Sequence, residues 1–209
     1  MPSLESLSLF FVATLALNLT PGPDMLYVAS RSAAQGTAAG LMSTLGIGAG
    51  CVVYMLAAAF GLSALLMMSS VAFGVLKWLG ALYLVWLGLQ LIRGAWREQK
   101  RTELEPARLG RVFLQGMMVN VFNPKVALFF LAFLPQFVPA GSPDFVLQIL
   151  CLGLLFNIGG CLVNAVVSLV AGRVGNRVGS NPTWRRWQQS ASGGLIMAMG
   201  VGLAFSSRR

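Results

Sequence analysis

Of 209 residues, 56% are hydrophobic and 10% are charged, and the mean hydropathy is +0.75. A soluble domain carries about 25% charged residues, so this chain lacks the polar surface to cover one large soluble core and reads as an integral membrane protein. The formal charge of +9 does not point to nucleic acid, because the cations cluster between apolar stretches, as they do in the cytoplasmic loops of membrane proteins.

A span needs about 20 mostly apolar residues, and six stretches qualify in chain order. They are residues 4–30, interrupted at Pro21; 40–67; 71–92; 112–138, interrupted by "NPK" at Asn123–Lys125; 145–171; and 188–205. Residues 1–9 hold Glu5 and neither Lys nor Arg. The basic leader of a cleavable signal is therefore missing, and the first stretch is expected to remain as a helix.

The cations set an orientation. Arg31 follows the first stretch. Arg93, Arg97, Lys100, Arg101, Arg108 and Arg111 follow the third. Arg173, Arg177, Arg185 and Arg186 follow the fifth. With six spans these links share one side, which the positive-inside rule makes cytoplasmic. The opposite links, at Ser69–Ser70 and residues 139–144, carry no Lys or Arg. Both termini are then expected outside, with Arg208 and Arg209 running against the rule.

The basic stretch 93–111 separates two three-span halves, 1–92 and 112–209. The halves look related. "FFVATLALN" (Phe10 to Asn18) resembles "VFLQGMMVN" (Val112 to Asn120), and a proline break follows each. The third and sixth spans each carry two glycines eight apart, Gly80 and Gly88, Gly194 and Gly202. Three spans per repeat place the second repeat upside down in the bilayer, and inverted repeats with broken helices at corresponding positions mark secondary transporters.

Thr20-Pro21 and Asn123-Pro124 are the same local device. Thr and Asn are N-cap residues, and proline is favoured at the first helical position. Each site therefore reads as a helix restarting inside a span. Gly22 and Pro23 complete the first break, and Pro23 removes one more donor. A restart in lipid must be buried in protein or line a wet cavity, because an unpaired N–H there costs several kcal/mol. Given the opposite directions of spans one and four, the two restarted helices aim their N-termini at each other. Each end carries about half a positive charge, and together they suit an anion such as a carboxylate.

Asp24 lies in the first turn after Pro21, where that dipole favours it. Lys125 lies in the first turn after Pro124, where it is disfavoured and needs an anionic partner. Asp24 and a bound carboxylate are the two choices; a capping aspartate and a snorkelling lysine are the bland alternative. Asn18 and Asn120 precede the breaks. Asn157 and Asn164 share one face of the fifth span, where interhelical glue and substrate contact are equal readings. Gly36, Gly40, Gly46 and Gly50 follow small-residue packing spacing. Lys77 is expected to snorkel, and Trp78, Tyr83, Trp86, Trp184 and Trp187 fit interfacial belts or bundle packing.

The chain has no histidine, hence neither the commonest transition-metal ligand nor the commonest proton shuttle near neutral pH. Cys51, Cys151 and Cys161 lie in apolar runs without CxxC pairing and read as buried, inert thiols. No metal or other cofactor is expected.

These residues resemble the LysE/RhtB family of bacterial amino-acid exporters. The carrying pieces are "LTPGPDMLYV" (Leu19 to Val28), "GALYLVWLGLQLIR" (Gly80 to Arg93), "GMMVNVFNPKVALFFLAFLPQFV" (Gly116 to Val138) and "GGLIMAMGVGLAF" (Gly193 to Phe205). The resemblance implies an all-α, six-span protein of the inner membrane that exports amino acids or close derivatives, by exchange with protons. A dibasic substrate would want an acidic pocket, and the break offers Asp24 alone, which favours a neutral one. Joined to the anion-site reading, this makes Asn18, Thr20, Pro21, Gly22, Pro23, Asp24, Asn120, Asn123, Pro124, Lys125 and Asn157 the candidate substrate-binding residues, with Asp24 the proton carrier. The expected partners are a small amino acid and the lipid bilayer, with no nucleic acid; the small-residue faces serve internal packing or a homodimer equally. A divalent-cation transporter and a membrane-embedded enzyme are the rival readings. The first is disfavoured by the absent histidine and the cationic centre, the second by the lack of paired carboxylates.

Overall fold

Pro21 and Pro23, on either side of Gly22, follow the end of the first helix. In a computed structural model, which describes residues 4–62, 70–94, 105–139, 142–174 and 182–205, every regular element is helical. Helix α1 covers Leu4–Leu19. The chain restarts as α2 at Pro23–Gln35, with Gly22 in the N-cap position and extended. Gly36 then turns the chain at φ +85°, a left-handed conformation that suits glycine. It leads directly into α3, Thr37–Leu56, which widens into a π-helical turn at Ala57–Leu62. Helix α4 is Ser70–Gly94.

The second half repeats the broken pattern. Helix α5, Leu109–Val121, stops before Asn123, and α6 restarts at Pro124–Leu128. A π-helical turn at Phe129–Phe133 and a 3-10 turn at Leu134–Phe137 continue it. Helix α7 is Phe145–Val174 and α8 is Pro182–Phe205.

Thr37–Gly61 and Phe145–Arg173 are each long and apolar enough to cross a membrane. Ser6–Leu19 with Pro23–Gln35, and Leu109–Val121 with Pro124–Phe137, meet the same test as pairs bent by 46° and 50°. The chain is thus a multi-pass helical membrane protein. Side chains that water would exclude face outward: Phe122 is 78% exposed and Leu162 64%, as suits lipid contact.

Lipid is as apolar as leucine, so helices gain little from hiding apolar area and associate through close backbone approach. Helix α3 packs on α5 and α7, α2 on α3 and α7, and α4 on α8. Glycine makes the tightest of these seams. A Cβ at Gly116 would meet the Ser43 carbonyl oxygen at 2.6 Å, and one at Gly50 the Met117 carbonyl at 2.7 Å. Gly40 and Gly46 admit no side chain either, facing Ser32, Ser168 and the Phe113 carbonyl. Of the expected packing glycines, Gly36 instead has open space and serves the turn.

An aromatic core lies behind the second break. Phe129 and Phe130 are fully buried; the Phe129 ring stacks on Phe156 at 4.1 Å, and Phe10 meets Phe137 edge-on at 5.2 Å. Several sequence expectations need correction. Of the three cysteines expected to be buried, Cys51 is, Cys161 is half-buried and Cys151 is exposed. Arg31 is not in a loop but inside α2, 4% exposed, and the connection between the first two stretches is Gly36. The first restart is at Pro23, not Pro21. The link around Ser69, residues 95–104 and 175–181, Arg208 and Arg209 lie outside the described residues, as do the side chains of Lys77, Trp184 and Arg185.

Candidate functional site

The two breaks meet. At the second, Asn123 caps α6 as the sequence predicts: its side-chain oxygen accepts from the Lys125 N–H at 3.1 Å. At the first, Thr20 is no N-cap. Its hydroxyl turns back and donates to the Ala16 carbonyl at 2.8 Å, and Gly22 holds the cap position without a side chain to offer. Thr20, Pro21 and Gly22 are all buried, whereas Pro23 and Pro124 are exposed.

Lys125 links the breaks. It is 4% exposed, and its ammonium donates to the carbonyls of Thr20 (3.1 Å) and Leu17 (3.3 Å). Leu17 lies in the last turn of α1 and Thr20 directly follows that helix, at its negative dipole end; Leu17 O also accepts the Thr20 N–H at 3.2 Å. The unfavourable dipole of α6 on Lys125 is therefore opposed by the favourable end of α1. Asp24 completes the environment, with Oδ1 at 3.6 Å from Nζ. The same carboxylate oxygen accepts from Asn123 Nδ2 at 3.3 Å. Asp24 and Lys125 pair with each other in this conformation.

Gly22 has a reason in this geometry. A Cβ there would lie 2.6 Å from Asp24 Oδ1 and 3.0 Å from Lys125 Nζ. A side chain at position 22 would push into the ion pair. Glycine here keeps room beside two opposite charges.

The other candidates form a separate group. Asn18 Nδ2 donates to the Phe156 carbonyl at 3.1 Å, and Asn157 Nδ2 to the Gly48 carbonyl at 3.3 Å. Both tie helices together through α7. Asn120 is 2% exposed at the α3–α5 seam, and its Oδ1 has no hydrogen-bond partner. A buried amide oxygen left open is costly in a packed interior. An apolar groove of 680 Å³ flanks Pro124, Ala127 and Leu128 on one side and Leu82, Tyr83 and Trp86 on the other; it does not reach the charged pair. Among the described residues no group of three His, Cys, Asp or Glu side chains could hold a metal.

Sequence reasoning missed the Leu17 and Thr20 carbonyls, since backbone groups leave no mark on residue type. The signal present was two prolines within three residues, which end the helical hydrogen-bond ladder at this point.

Comparison of the sequence with known proteins places the chain in a family. The sequence model of the family described as LysE type translocator covers residues 15–207. An uncharacterised membrane protein of Pseudomonas aeruginosa is 33% identical over 198 residues, 89% of this chain and 88% of its own. A homoserine/homoserine lactone efflux protein of Salmonella typhimurium is 30% identical over 195 residues, 93% of this chain and 94% of its own. A leucine efflux protein of the same organism is 28% identical over 135 residues, 64% of each chain. No solved structure matches the chain.

Proposed function

The chain belongs to the LysE type translocator family, and on that premise we propose that it is a secondary transporter exporting neutral amino acids, or close derivatives, in exchange for protons. The observation that carries this reading is the buried Asp24–Lys125 pair at the junction of two broken helices. A charged pair in an apolar bundle is costly to maintain and marks a substrate or ion pathway. The compounds in the names of two relatives, homoserine with its lactone and leucine, carry no charged side chain, which favours a neutral amino acid.

In the proposed architecture six spans form two inverted three-span repeats in the inner membrane, with the arginine-bearing end cytoplasmic and both termini outside. Three pairings support it: the breaks at Pro21–Pro23 and Pro124, the bends of 46° and 50°, and the packing of α4 on α8, the third span of each half.

The proposed cycle uses the pair as a switch. Substrate enters from the cytoplasmic side and separates the charges. Its carboxylate takes the place of Asp24 at Lys125, with N–H groups of the first turn of α2 beside it. Its ammonium faces Asp24 and Asn123. The bundle rocks, and a proton from outside neutralises Asp24. The ammonium loses its partner and the amino acid leaves, so one proton exchanges for one substrate.

Counterflow of labelled amino acids in proteoliposomes tests this reading. Accumulation of leucine or homoserine above lysine is expected. A metal ion carried in place of every amino acid would overturn the cargo. For orientation, Glu103→Cys in a cysteine-free background should react only from the cytoplasmic side; labelling from outside would invert the topology.

A further inference from the structure

Arg31 is a buried cation that the transport reading does not use. Four of its five guanidinium N–H donors meet neutral oxygens. Nε faces the Tyr27 hydroxyl at 3.3 Å; Nη1 donates to Gln35 Oε1 and to the Glu105 carbonyl, each at 2.8 Å; Nη2 donates to Gln115 Oε1 at 2.8 Å. The Tyr27 hydroxyl in turn lies 3.0 Å from Gln115 Oε1. Among the described residues no carboxylate forms an ion pair with Arg31 or with Arg111. Glu105 contributes its carbonyl, and its exposed side chain stays outside. A guanidinium taken out of water with dipoles alone around it carries an unbalanced charge.

A groove of 440 Å³ opens beside it, lined by Tyr27 and Arg31 of α2 and by Arg111, Leu114, Gln115 and Met118 of α5, among others. Positions 111, 114, 115 and 118 are spaced i, i+3, i+4, i+7 and therefore share one face of α5. Polarity changes along that face. Arg111 and Arg31 stand at the end of the bundle that gathers the arginines. Leu114 and Met118, 55% and 41% exposed, continue toward the break at Asn123. The groove thus has two cations at its interfacial end and an apolar wall running into the membrane.

We propose that this groove binds an anionic phospholipid, with its phosphate on Arg31 and Arg111 and an acyl chain along Leu114 and Met118. Charge complementarity selects the anionic head group, and the spare Nη2 hydrogen of Arg31 with the whole guanidinium of Arg111 supplies its donors. The apolar wall selects a lipid over a free anion. Basic pockets between membrane helices are suited to such head groups. A bound lipid would also brace the α2–α5 contact, because Arg31 and Gln35 hold the Glu105 and Ala107 carbonyls at the start of α5.

Native mass spectrometry of the full-length protein tests the site, with phosphatidylglycerol and phosphatidylethanolamine offered at equal concentration. Retention of phosphatidylglycerol over phosphatidylethanolamine is expected. Arg111→Gln should reduce that retention about fivefold, the effect of one basic residue at a membrane surface. Arg31→Gln should reduce it further, but it also unties the loop before α5, so the exposed Arg111 carries the decision. Inorganic phosphate is the competing soluble anion, and zwitterionic leucine is the competing soluble carboxylate. Equal retention of the two lipids, a preference that survives both substitutions, or displacement of the lipid by phosphate or leucine at millimolar concentration would each overturn the proposal. None of these readouts depends on transport.

Discussion

The ammonium of Lys125 has three N–H donors, and three oxygens surround it: Leu17 O, Thr20 O and Asp24 Oδ1. Removing it strands the Thr20 carbonyl and leaves the Asp24 carboxylate without its counter-charge, although Leu17 O keeps the Thr20 N–H at 3.2 Å and Asp24 Oδ1 keeps Asn123 Nδ2. Lys125→Met should therefore lower stability strongly, by about 3–5 kcal/mol, as expected for breaking a buried ion pair from one side. Asp24→Asn with Lys125→Met removes the stranded charge and should restore part of that loss, leaving the Thr20 carbonyl unmet. Thermal unfolding in detergent of the single and double variants measures the difference. Independent, additive losses would show that the 3.6 Å contact contributes nothing, and the switch would lose its basis. At this scale the sequence was half legible. Asn123, Pro124 and Lys125 declare a cap and a first turn by residue type and spacing alone. That Lys125 reaches the end of α1 could not be read, because it depends on carbonyls 105 and 108 residues away that any residue would supply.

Glycines at the helix seams carry the packing argument, and they also separate pattern from contact. The eight-residue spacing singled out Gly194 and Gly202, yet both face open space, while the neighbouring Gly193 and Gly200 face Gly88 and Ala81 of α4. A Cβ at Gly193 would lie 2.6 Å from the Gly88 carbonyl oxygen, a backbone atom that cannot step aside. Gly193→Ala should force α4 and α8 apart and lower the midpoint of thermal unfolding. Gly194→Ala, one position away, should leave it unchanged or raise it slightly, since alanine favours the helix by about 1 kcal/mol over glycine. Equal effects would mean that the α4–α8 seam does not set stability. Helix existence was readable because apolar runs in lipid must satisfy their own backbone. The helix face was not, because lipid and neighbouring helices are both apolar, and a one-residue rotation leaves hydropathy unchanged. Arg31 escaped for the converse reason. Position near a span end suggests a loop cation, but its burial comes from Tyr27, Gln35 and Gln115, three polar residues scattered over two helices.

At the scale of the whole molecule, the proposed cycle requires a proton gradient to act on the same point that is proposed to hold substrate. The bundle brings one carboxylate, Asp24, against one ammonium, Lys125, where α1 ends and α2 and α6 begin. Those three helices lie on both sides of the basic linker, so any motion of one half against the other changes the distances around this pair. Protonation of Asp24 removes the charge facing Lys125 and leaves its neutral hydrogen-bonding partner, Asn123, in place. Asp24→Asn imitates that state permanently. The variant should fold, because the amide can still accept from Asn123 Nδ2 and from the Lys125 ammonium. It should retain exchange of labelled for unlabelled amino acid across proteoliposomes, since exchange needs no net proton movement. It should lose net transport driven by an imposed pH gradient. The wild-type protein should show both activities, and the ratio of the two rates isolates coupling from binding. If the variant still transports normally in response to the gradient, Asp24 does not carry the proton, and the pair at the helix junction serves structure alone. If exchange and driven transport vanish together while the protein remains folded, Asp24 holds the substrate ammonium at every stage, and the proton acts through that contact instead of replacing it.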